Sequence, residues 1–265
     1  MKKYFQVIRL TLEEYFTYRL SFVLWRFRSV VFTLTLLFFW LAVYGSQKTL
    51  FGYERSQMLT YLLGVVFLDG LILASRTADL ASQVRSGELS KFLLRPMGFF
   101  KFFLARDLAD KGLNLVFALL EIVIIVSLLN FSFHFPQTLL GLGLFGLQIT
   151  VSFFLYFFLS LVISLSAFWT EEIWATRWLF GVVLLDFLSG VIFPIDILPP
   201  LLTKLIYLTP FPYLVFSPLK LWLGQLSATA ALQSIMITFF WGVAFYSLAM
   251  FLWHRGTKKY GAFGG

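Results

Sequence analysis

Six long apolar stretches alternate with charged segments along the chain, and this alternation restricts the fold more strongly than any other feature. The stretches cover residues 30–44, 57–75, 113–131, 139–169, 178–193 and 230–253. A helix needs roughly 20 mainly apolar residues to cross the hydrocarbon core of a bilayer. Because 60% of the 265 residues are hydrophobic and only 13% are charged, a water-soluble globule could not bury them. We therefore predict an all-α integral membrane protein, a single domain over residues 1–265 with six transmembrane helices.

The same composition excludes several classes of protein. It excludes an ordinary soluble enzyme, a disordered chain and a disulfide-bonded secreted domain, the last because the chain has no Cys. The formal net charge of +8 would favour nucleic-acid binding in a soluble protein. In a membrane protein such an excess reflects topology and contact with anionic headgroups. We therefore expect membrane lipid, and no nucleic acid, as a partner.

The positions of Lys and Arg predict the orientation of the helices. With both termini in the cytoplasm, few of the 21 Lys and Arg residues fall in outer segments, namely Lys48, Arg55, Lys204 and Lys220. Cytoplasmic segments retain positive charge, so we predict cytoplasmic termini and an even number of spans. The first 28 residues are interrupted by charges, and for this reason a cleavable signal peptide is not expected.

Residues 1–28 predict an amphipathic helix on the inner membrane surface. Polar residues recur at spacings of three and four, and apolar residues do so on the opposite side. The polar set is Lys2, Gln6, Arg9, Glu13 and Thr17, and the apolar set is Phe5, Ile8, Leu12 and Tyr15 or Phe16. Near the first span, Arg26 and Arg28 are expected to extend their charged ends to the headgroups. A polar tail without this helix is the alternative.

The only long cytoplasmic loop between predicted spans covers residues 76–112, and its first part indicates a short helix. TADLASQVR at residues 77–85 has Asp79 in its first turn, which suits a helix N-terminus. Gly87 is placed to end this helix in the left-handed conformation. Residues 88–94 then continue up to an Arg-Pro pair, where proline disfavours further helix.

The second part of this loop, residues 99–111, predicts another amphipathic helix that leads into the third span. Asp107 and Lys111 stand at a favourable i, i+4 spacing on it. A loop that merely joined two spans would not need two helices of mixed charge. We therefore expect the loop to dock a soluble partner, with a solvated positive loop as the alternative.

A proline-rich segment follows the fifth apolar stretch. Residues 191–226 contain six of the eight prolines and remain strongly apolar. Because proline interrupts a helix, we predict that the fifth helix ends at Pro194. Residues 194–226 should form a broken, re-entrant pair of helices that dips into the outer leaflet before the last span. An outer-surface loop without the dip is the alternative.

Three acidic residues, Asp69, Glu121 and Asp186, fall inside predicted spans. An uncompensated charge there costs about 3 kcal/mol on insertion scales. No basic residue inside a span is expected to match them, so each should face the helix bundle, a partner or a wet cavity. Such acids could carry protons, which makes a proton-coupled secondary transporter the main alternative function.

Catalytic motifs are absent from the sequence. It contains neither a G-x-x-x-x-G-K-[ST] phosphate loop nor an H-E-x-x-H motif. The two histidines, His134 and His254, lie on opposite sides of the membrane in the predicted topology, so they are not expected to share a metal. We expect no enzymatic activity and no cofactor or metal in this chain. A membrane-embedded enzyme acting on lipid and a structural scaffold are further alternatives.

Several blocks of the sequence resemble the membrane subunit of type-2 ABC exporters, in particular bacterial ABC-2 type permeases. The blocks are SGELSKFLLRP (86–96), ARDLADK (105–111), AFWTEE (167–172), and SGVIFPIDILPP and LTPFPYLVFSPLKLWLGQL within 189–226. The resemblance implies a multi-pass permease in the bacterial inner membrane that forms half of a translocation path. It also implies an identical or related second permease and two separate subunits that bind ATP and Mg²⁺.

The resemblance further implies roles for individual residues. A coupling helix that seats in the ATP-binding subunit would comprise Asp79, Gln83, Arg85, Gly87 and Glu88. The translocation path would include Asp69, Asp186, Phe187, Ser189 and Gly190. The outer hairpin would form the lid of this path, with Pro194, Pro199, Pro210 and Pro212.

Overall fold

The structure is a computed structural model that describes residues 2–129, 133–136, 138–170 and 173–260, apart from the side chains of residues 173 and 177. Two predicted features lie outside the described residues: the end of the third apolar stretch at 130–131 and the last two residues of AFWTEE. The described part of the chain is almost entirely helical. Its sheet is a short antiparallel pair, β1 (Thr49–Leu50) and β2 (Tyr53–Glu54).

Five helices in the described part are long and apolar enough to cross a membrane. They are α2 (Arg19–Tyr44), α3 (Arg55–Leu68, continued by the π-helical turn Asp69–Leu73), α6 (Phe99–Leu129), α7 (Leu139–Leu165, continued by the 3₁₀ turn Ser166–Phe168) and α12 (Ala228–Lys259). They correspond to five of the six predicted spans. The all-α membrane class is confirmed.

The fifth apolar stretch forms a shorter, broken helix. It consists of α8 (Ile173–Trp178), a π-helical turn (Leu179–Val183) and α9 (Leu184–Leu188). The prediction that Pro194 ends this helix is wrong, because α9 ends at Leu188 and the chain turns at Ser189 and Gly190. Gly190 has φ +90°, which glycine adopts more easily than any other residue. The count of six spans stays a prediction.

Helix α1 (Lys2–Thr17) confirms the N-terminal helix, and part of its predicted apolar side packs against the protein, since Ile8, Leu12 and Tyr15 are partly buried. The helix lies along α6 with Val7 and Thr11 buried. Phe5 and Phe16, from the predicted apolar side, are exposed. These two rings are free to face lipid, and the position of α1 on the membrane surface stays a prediction.

The loop after α3 contains α4 (Ala78–Arg85) and α5 (Leu89–Leu93). Gly87, with φ +77°, separates them as predicted. Residues 99–111 are helical, as predicted, and form the first part of α6, which runs without a break into the third span. Asp107 and Lys111 are buried there, since α1 and the end of α3 pack against this part of α6.

The proline-rich segment forms the predicted broken pair of helices. These are α10 (Pro200–Tyr207) and α11 (Phe216–Trp222), with 3₁₀ turns at Ile195–Ile197 and Phe211–Tyr213. Residues 194–222 are called the hairpin below. The end of the bundle that carries it is the hairpin end, and the opposite end, with α1, α4 and α5, is the coupling end. Each end has its own cluster of buried apolar side chains.

Candidate coupling site and transport cavity

The residues predicted to contact an ATP-binding subunit lie on α4 and on the turn that follows it. Arg85 and Glu88 are exposed, and Gln83 is partly exposed. Asp79 has a different position, since its Oδ2 atom lies 2.9 Å from Nη2 of Arg106 on α6. The exposed residues are available to a partner, whereas Asp79 holds α4 against the rest of the protein. Their role in coupling stays a prediction.

Asp79 belongs to a group of charged residues that joins α1, α4 and α6. We define this charge cluster as Glu14, Arg76, Asp79, Arg106 and Asp110. Nη2 of Arg106 lies 2.8 Å from Oε2 of Glu14. Arg76 lies 3.7 Å from both Glu14 and Asp79, and 3.5 Å from Asp110. Several of these side chains are largely withdrawn from water, so their attraction is screened less than that of surface pairs.

A second set of bonds fixes the connection between α3 and α4 to α6. Nζ of Lys111 donates to the Ile72 carbonyl at 2.6 Å. Asp107 accepts hydrogen bonds from the Ser75 hydroxyl at 2.7 Å and from the Arg76 backbone N–H at 2.9 Å. The last carbonyls of a helix lack partners within the helix and attract cations. Lys111 therefore satisfies the end of α3, a role that its i, i+4 spacing from Asp107 did not reveal.

Helices α2 and α6 are joined by a buried ion pair that sequence reasoning did not predict. Nη2 of Arg26 lies 2.8 Å from Oε2 of Glu121, and the two side chains are 11% and 6% exposed. The predictions that Arg26 reaches the headgroups and that no basic residue matches the acids of the spans are therefore wrong. Each charge would be costly alone at this depth. The available signal was an Arg and a Glu on two apolar helices, but α2 also carries Arg19 and Arg28, and nothing local showed which Arg meets Glu121.

Two of the predicted path residues, Asp69 and Asp186, line the same cavity. It has a volume of about 240 Å³ and lies between α2, α3 and the broken helix. Arg28 of α2 also lines it, so charges of both signs face this space. Three other predicted path residues do not line the cavity: Phe187, Ser189 and Gly190. Phe187 is exposed and the other two are buried, and all five assignments to a path stay predictions.

Asp196 connects the hairpin to the loop between α2 and α3. The Tyr53 hydroxyl donates to Oδ1 of Asp196 at 2.9 Å, and Nζ of Lys220 donates to Oδ2 at 2.7 Å. Burial, and then the charge of Asp196, raises the pKa of Tyr53 well above its ordinary value. The hydroxyl therefore stays protonated and remains a donor. We call these three residues the hairpin lock.

The prolines predicted in the lid stand at starts and turns of the hairpin helices: Pro194, Pro199, Pro210 and Pro212. Proline suits such positions because its fixed φ matches the first turn of a helix and its missing N–H has no partner to lose there. The lid function stays a prediction. Within the residues that the structure describes, no group of three or more His, Asp and Glu side chains is arranged to hold a metal ion.

A bundle of membrane-length helices, with a structured loop at one end and a proline hairpin at the other, defines a multi-pass helical membrane protein. Comparison with protein-family models gives its family. The chain belongs to the ABC-2 family, because the model described as ABC-2 family transporter protein matches residues 30–264. It is a permease subunit of an ABC transporter, as the resemblance implied, and this component is generally non-catalytic and associates with ABC ATP-binding subunits. None of the curated proteins compared with the chain matches it.

Proposed function

We propose that this chain is one of two permeases of an ABC exporter in the bacterial inner membrane. The second permease is an identical or related chain. Two ATP-binding subunits lie against the coupling end and bind ATP and Mg²⁺, and this chain carries no cofactor of its own. Both termini face the cytoplasm, in agreement with the distribution of Lys and Arg.

The observation that carries this proposal is the charge cluster. It attaches α4, the candidate coupling helix, to α1 and α6 by ion pairs at 2.8 and 2.9 Å. Helix α6 has 31 residues, or about 46 Å at 1.5 Å per residue, and it extends from the coupling end to the hairpin end. A push on α4 by an ATP-binding subunit would therefore move α1 and α6 with it. Such a displacement is a rigid-body transition between packed states.

The proposal includes a sixth span and a re-entrant hairpin. The broken helix over residues 173–188 is the sixth span. The Tyr213 carbonyl, at the tip of the hairpin, accepts hydrogen bonds from Oγ of Ser152 at 2.7 Å and Nε2 of Gln148 at 3.2 Å. Those residues lie about 20 Å and about 14 Å along α7 from its first residue. Irregular backbone at such depth is tolerated when protein groups satisfy it.

The cavity between α2, α3 and the broken helix supports Asp69 and Asp186 as residues of the path. Proton-coupled secondary transport is not favoured. The chain belongs to the ABC-2 family, and Arg26 neutralises Glu121, which removes one of the three acids on which that alternative depended.

The first arm of the test addresses docking of the ATP-binding subunit to the assembled complex. We expect Arg85→Glu and Glu88→Lys to weaken co-purification of that subunit, because both side chains are exposed on the proposed docking surface. Arg9→Glu changes an exposed charge on α1 and is the control. Equal co-purification of all three variants would contradict the docking assignment.

The second arm addresses transmission through the charge cluster. The reporter is maleimide labelling of Leu208→Cys, at an exposed position of the hairpin, with and without ATP. We expect Glu14→Gln to abolish the ATP-dependent change in labelling while the ATP-binding subunit stays bound. Glu13→Gln, on the neighbouring residue that pairs with the exposed Arg9, should preserve the change. If the change survives in Glu14→Gln, the charge cluster does not transmit the movement.

A further inference from the structure

An apolar cavity of about 570 Å³ lies between α3, α6 and α11, on the side of the bundle away from Asp69 and Asp186. Its volume falls within the range of about 300–1,000 Å³ that small-molecule pockets occupy. Its walls include Phe67, Val126, Phe145, Leu219 and Trp222. The hydroxyl of Ser127 also lines it, but this group already donates to the Ile124 carbonyl at 2.9 Å. The cavity therefore offers no free polar group among its named walls and selects an aliphatic ligand.

Aromatic rings close the cavity towards the hairpin end. The ring centroid of Trp222 lies 4.9 Å from that of Phe145 and 6.3 Å from those of Phe133 and Phe135. Nε1 of Trp222 donates to the His134 carbonyl at 2.8 Å. This bond fixes the indole as part of the wall, and Phe135, which is 70% exposed, lies at the rim of this end.

The mouth of the cavity opens on the outer surface of α6. Leu119 and Val123 line the mouth and are 47% and 65% exposed. The neighbouring exposed residues on that surface are also apolar: Leu120, Ile124 and Leu128. In a membrane protein, such a helix face is in contact with acyl chains. The cavity is therefore continuous with the surface that lipid covers.

We propose that this cavity holds an acyl chain of a membrane phospholipid. An acyl chain of a lipid already beside α6 can enter at Leu119 and Val123 and lie between α3 and α11 without breaking a hydrogen bond. There it gains contacts with atoms on all sides, which a surface lipid lacks. Because Leu219 and Trp222 belong to α11, the bound acyl chain also packs against the hairpin. The proposal requires only that the protein is embedded in a membrane, so it does not depend on the direction of transport or on the ATP-binding subunits.

The experiment uses the full chain in vesicles of phosphatidylethanolamine that contain a phosphatidylcholine with a diazirine at the end of one acyl chain. After irradiation, mass spectrometry locates the lipid adducts. We expect adducts on residues that line the cavity, such as Phe67, Leu219 and Trp222, and also on the outer face of α6. Adducts confined to outer positions such as Ile124 and Leu128 would overturn the proposal.

Two matched substitutions on α6 separate the cavity from the surrounding surface. Val126→Trp fills part of the cavity and should lower the yield of cavity adducts about tenfold. This is the loss of affinity expected when two methylene groups of the acyl chain can no longer be buried. Ile124→Trp, on the exposed face two residues away, should leave that yield unchanged. If the yield is the same in both variants, the proposal fails.

A third variant tests a different occupant and does not depend on the folding of Val126→Trp. The chain has no cysteine, so Val126→Cys gives a single reactive position. A disulfide between two copies through this cysteine would show that a second chain fills the groove, which would overturn the proposal. We expect Val126→Cys to form no disulfide between copies. We expect its thiol to react with a maleimide that carries an alkyl chain, and added phospholipid to slow this reaction by competition.

Discussion

Arg26 and Glu121 stabilise the bundle as a pair, because each would be a buried charge without the other. Glu121→Gln keeps the shape of the side chain and removes the counter-charge of the guanidinium. We expect the free energy of unfolding to fall by about 3–5 kcal/mol. The double variant Arg26→Met with Glu121→Met removes both charges and should recover most of this loss. Unfolding of the purified chain in detergent, followed by circular dichroism, compares the variants.

The exposed pair of Arg9 and Glu13 provides the control for this measurement. Its atoms are 2.8 Å apart, but its side chains are 76% and 52% exposed. Glu13→Gln should therefore change stability little, since exposed ion pairs contribute a median near zero. If the double variant proves less stable than Glu121→Gln, the stability depends on the charges themselves and the argument is wrong.

Gly190→Ala places a methyl group where two aromatic side chains already lie. A Cβ at this position would be 2.5 Å from the Tyr61 hydroxyl oxygen and 3.0 Å from Cβ of Phe216. That hydroxyl donates to the Gly190 carbonyl at 2.6 Å, so it cannot move without losing a buried bond. Together with the positive φ, this predicts a loss of about 2–4 kcal/mol. Gly143→Ala, in open space on α7, should be neutral or slightly stabilising in the same unfolding experiment.

Single residues were predictable where the signal was local. Gly87 follows a polar helical segment, and a glycine just beyond a helix is a local stop signal that the structure confirms. The partner of Arg26 is 95 residues away, and the carbonyl that Lys111 contacts is 39 residues away. Those contacts depend on which helices pack together, and hydrophobic periodicity does not contain that information.

At the scale of the elements, the hairpin lock should determine how firmly the hairpin is held. Asp196→Asn removes the charge that Lys220 and Tyr53 contact. Because the Asp196 side chain is 33% exposed, we expect a modest loss of about 1 kcal/mol. Hydrogen exchange of the amides in α10 should become faster. Lys204→Met, an exposed position of α10 outside the lock, is the control, and equal exchange in the two variants would refute the role of the lock.

The long apolar stretches predicted α2, α3, α6, α7 and α12 because each lies in a helical segment long and apolar enough to cross a bilayer. The broken helix was harder to delimit. Its end is determined by the fit of Gly190 between Tyr61 and Phe216, whereas the visible sequence signal was Pro194. The two halves of the hairpin were predictable from proline. Their attachment through Asp196 and Gln148 was not, since it depends on distant segments.

At the scale of the whole molecule, the broken helix must connect the two ends of the bundle. Its N-terminal part, Trp174 and Trp178, lines a cavity with Ser82 and Arg85 of α4 at the coupling end. Its C-terminal end meets Tyr61 through the Gly190 carbonyl. The three helical pieces have 6, 5 and 5 residues, which is at most about 24 Å of rise. The hydrocarbon core is about 30 Å thick, so if this segment is the proposed sixth span, residues 189–194 supply the remaining length.

Cysteine labelling in intact cells tests this connection, because the chain has no cysteine of its own. We expect Leu94→Cys and Trp174→Cys to react only with a membrane-permeant maleimide, and Leu208→Cys to react with an impermeant one. All three positions are exposed. Because α8 is joined to the hairpin through residues 179–193, labelling of Trp174→Cys and Leu208→Cys from the same side would show that residues 173–194 do not cross. The protein would then have five spans, and its two termini would lie on opposite sides of the membrane.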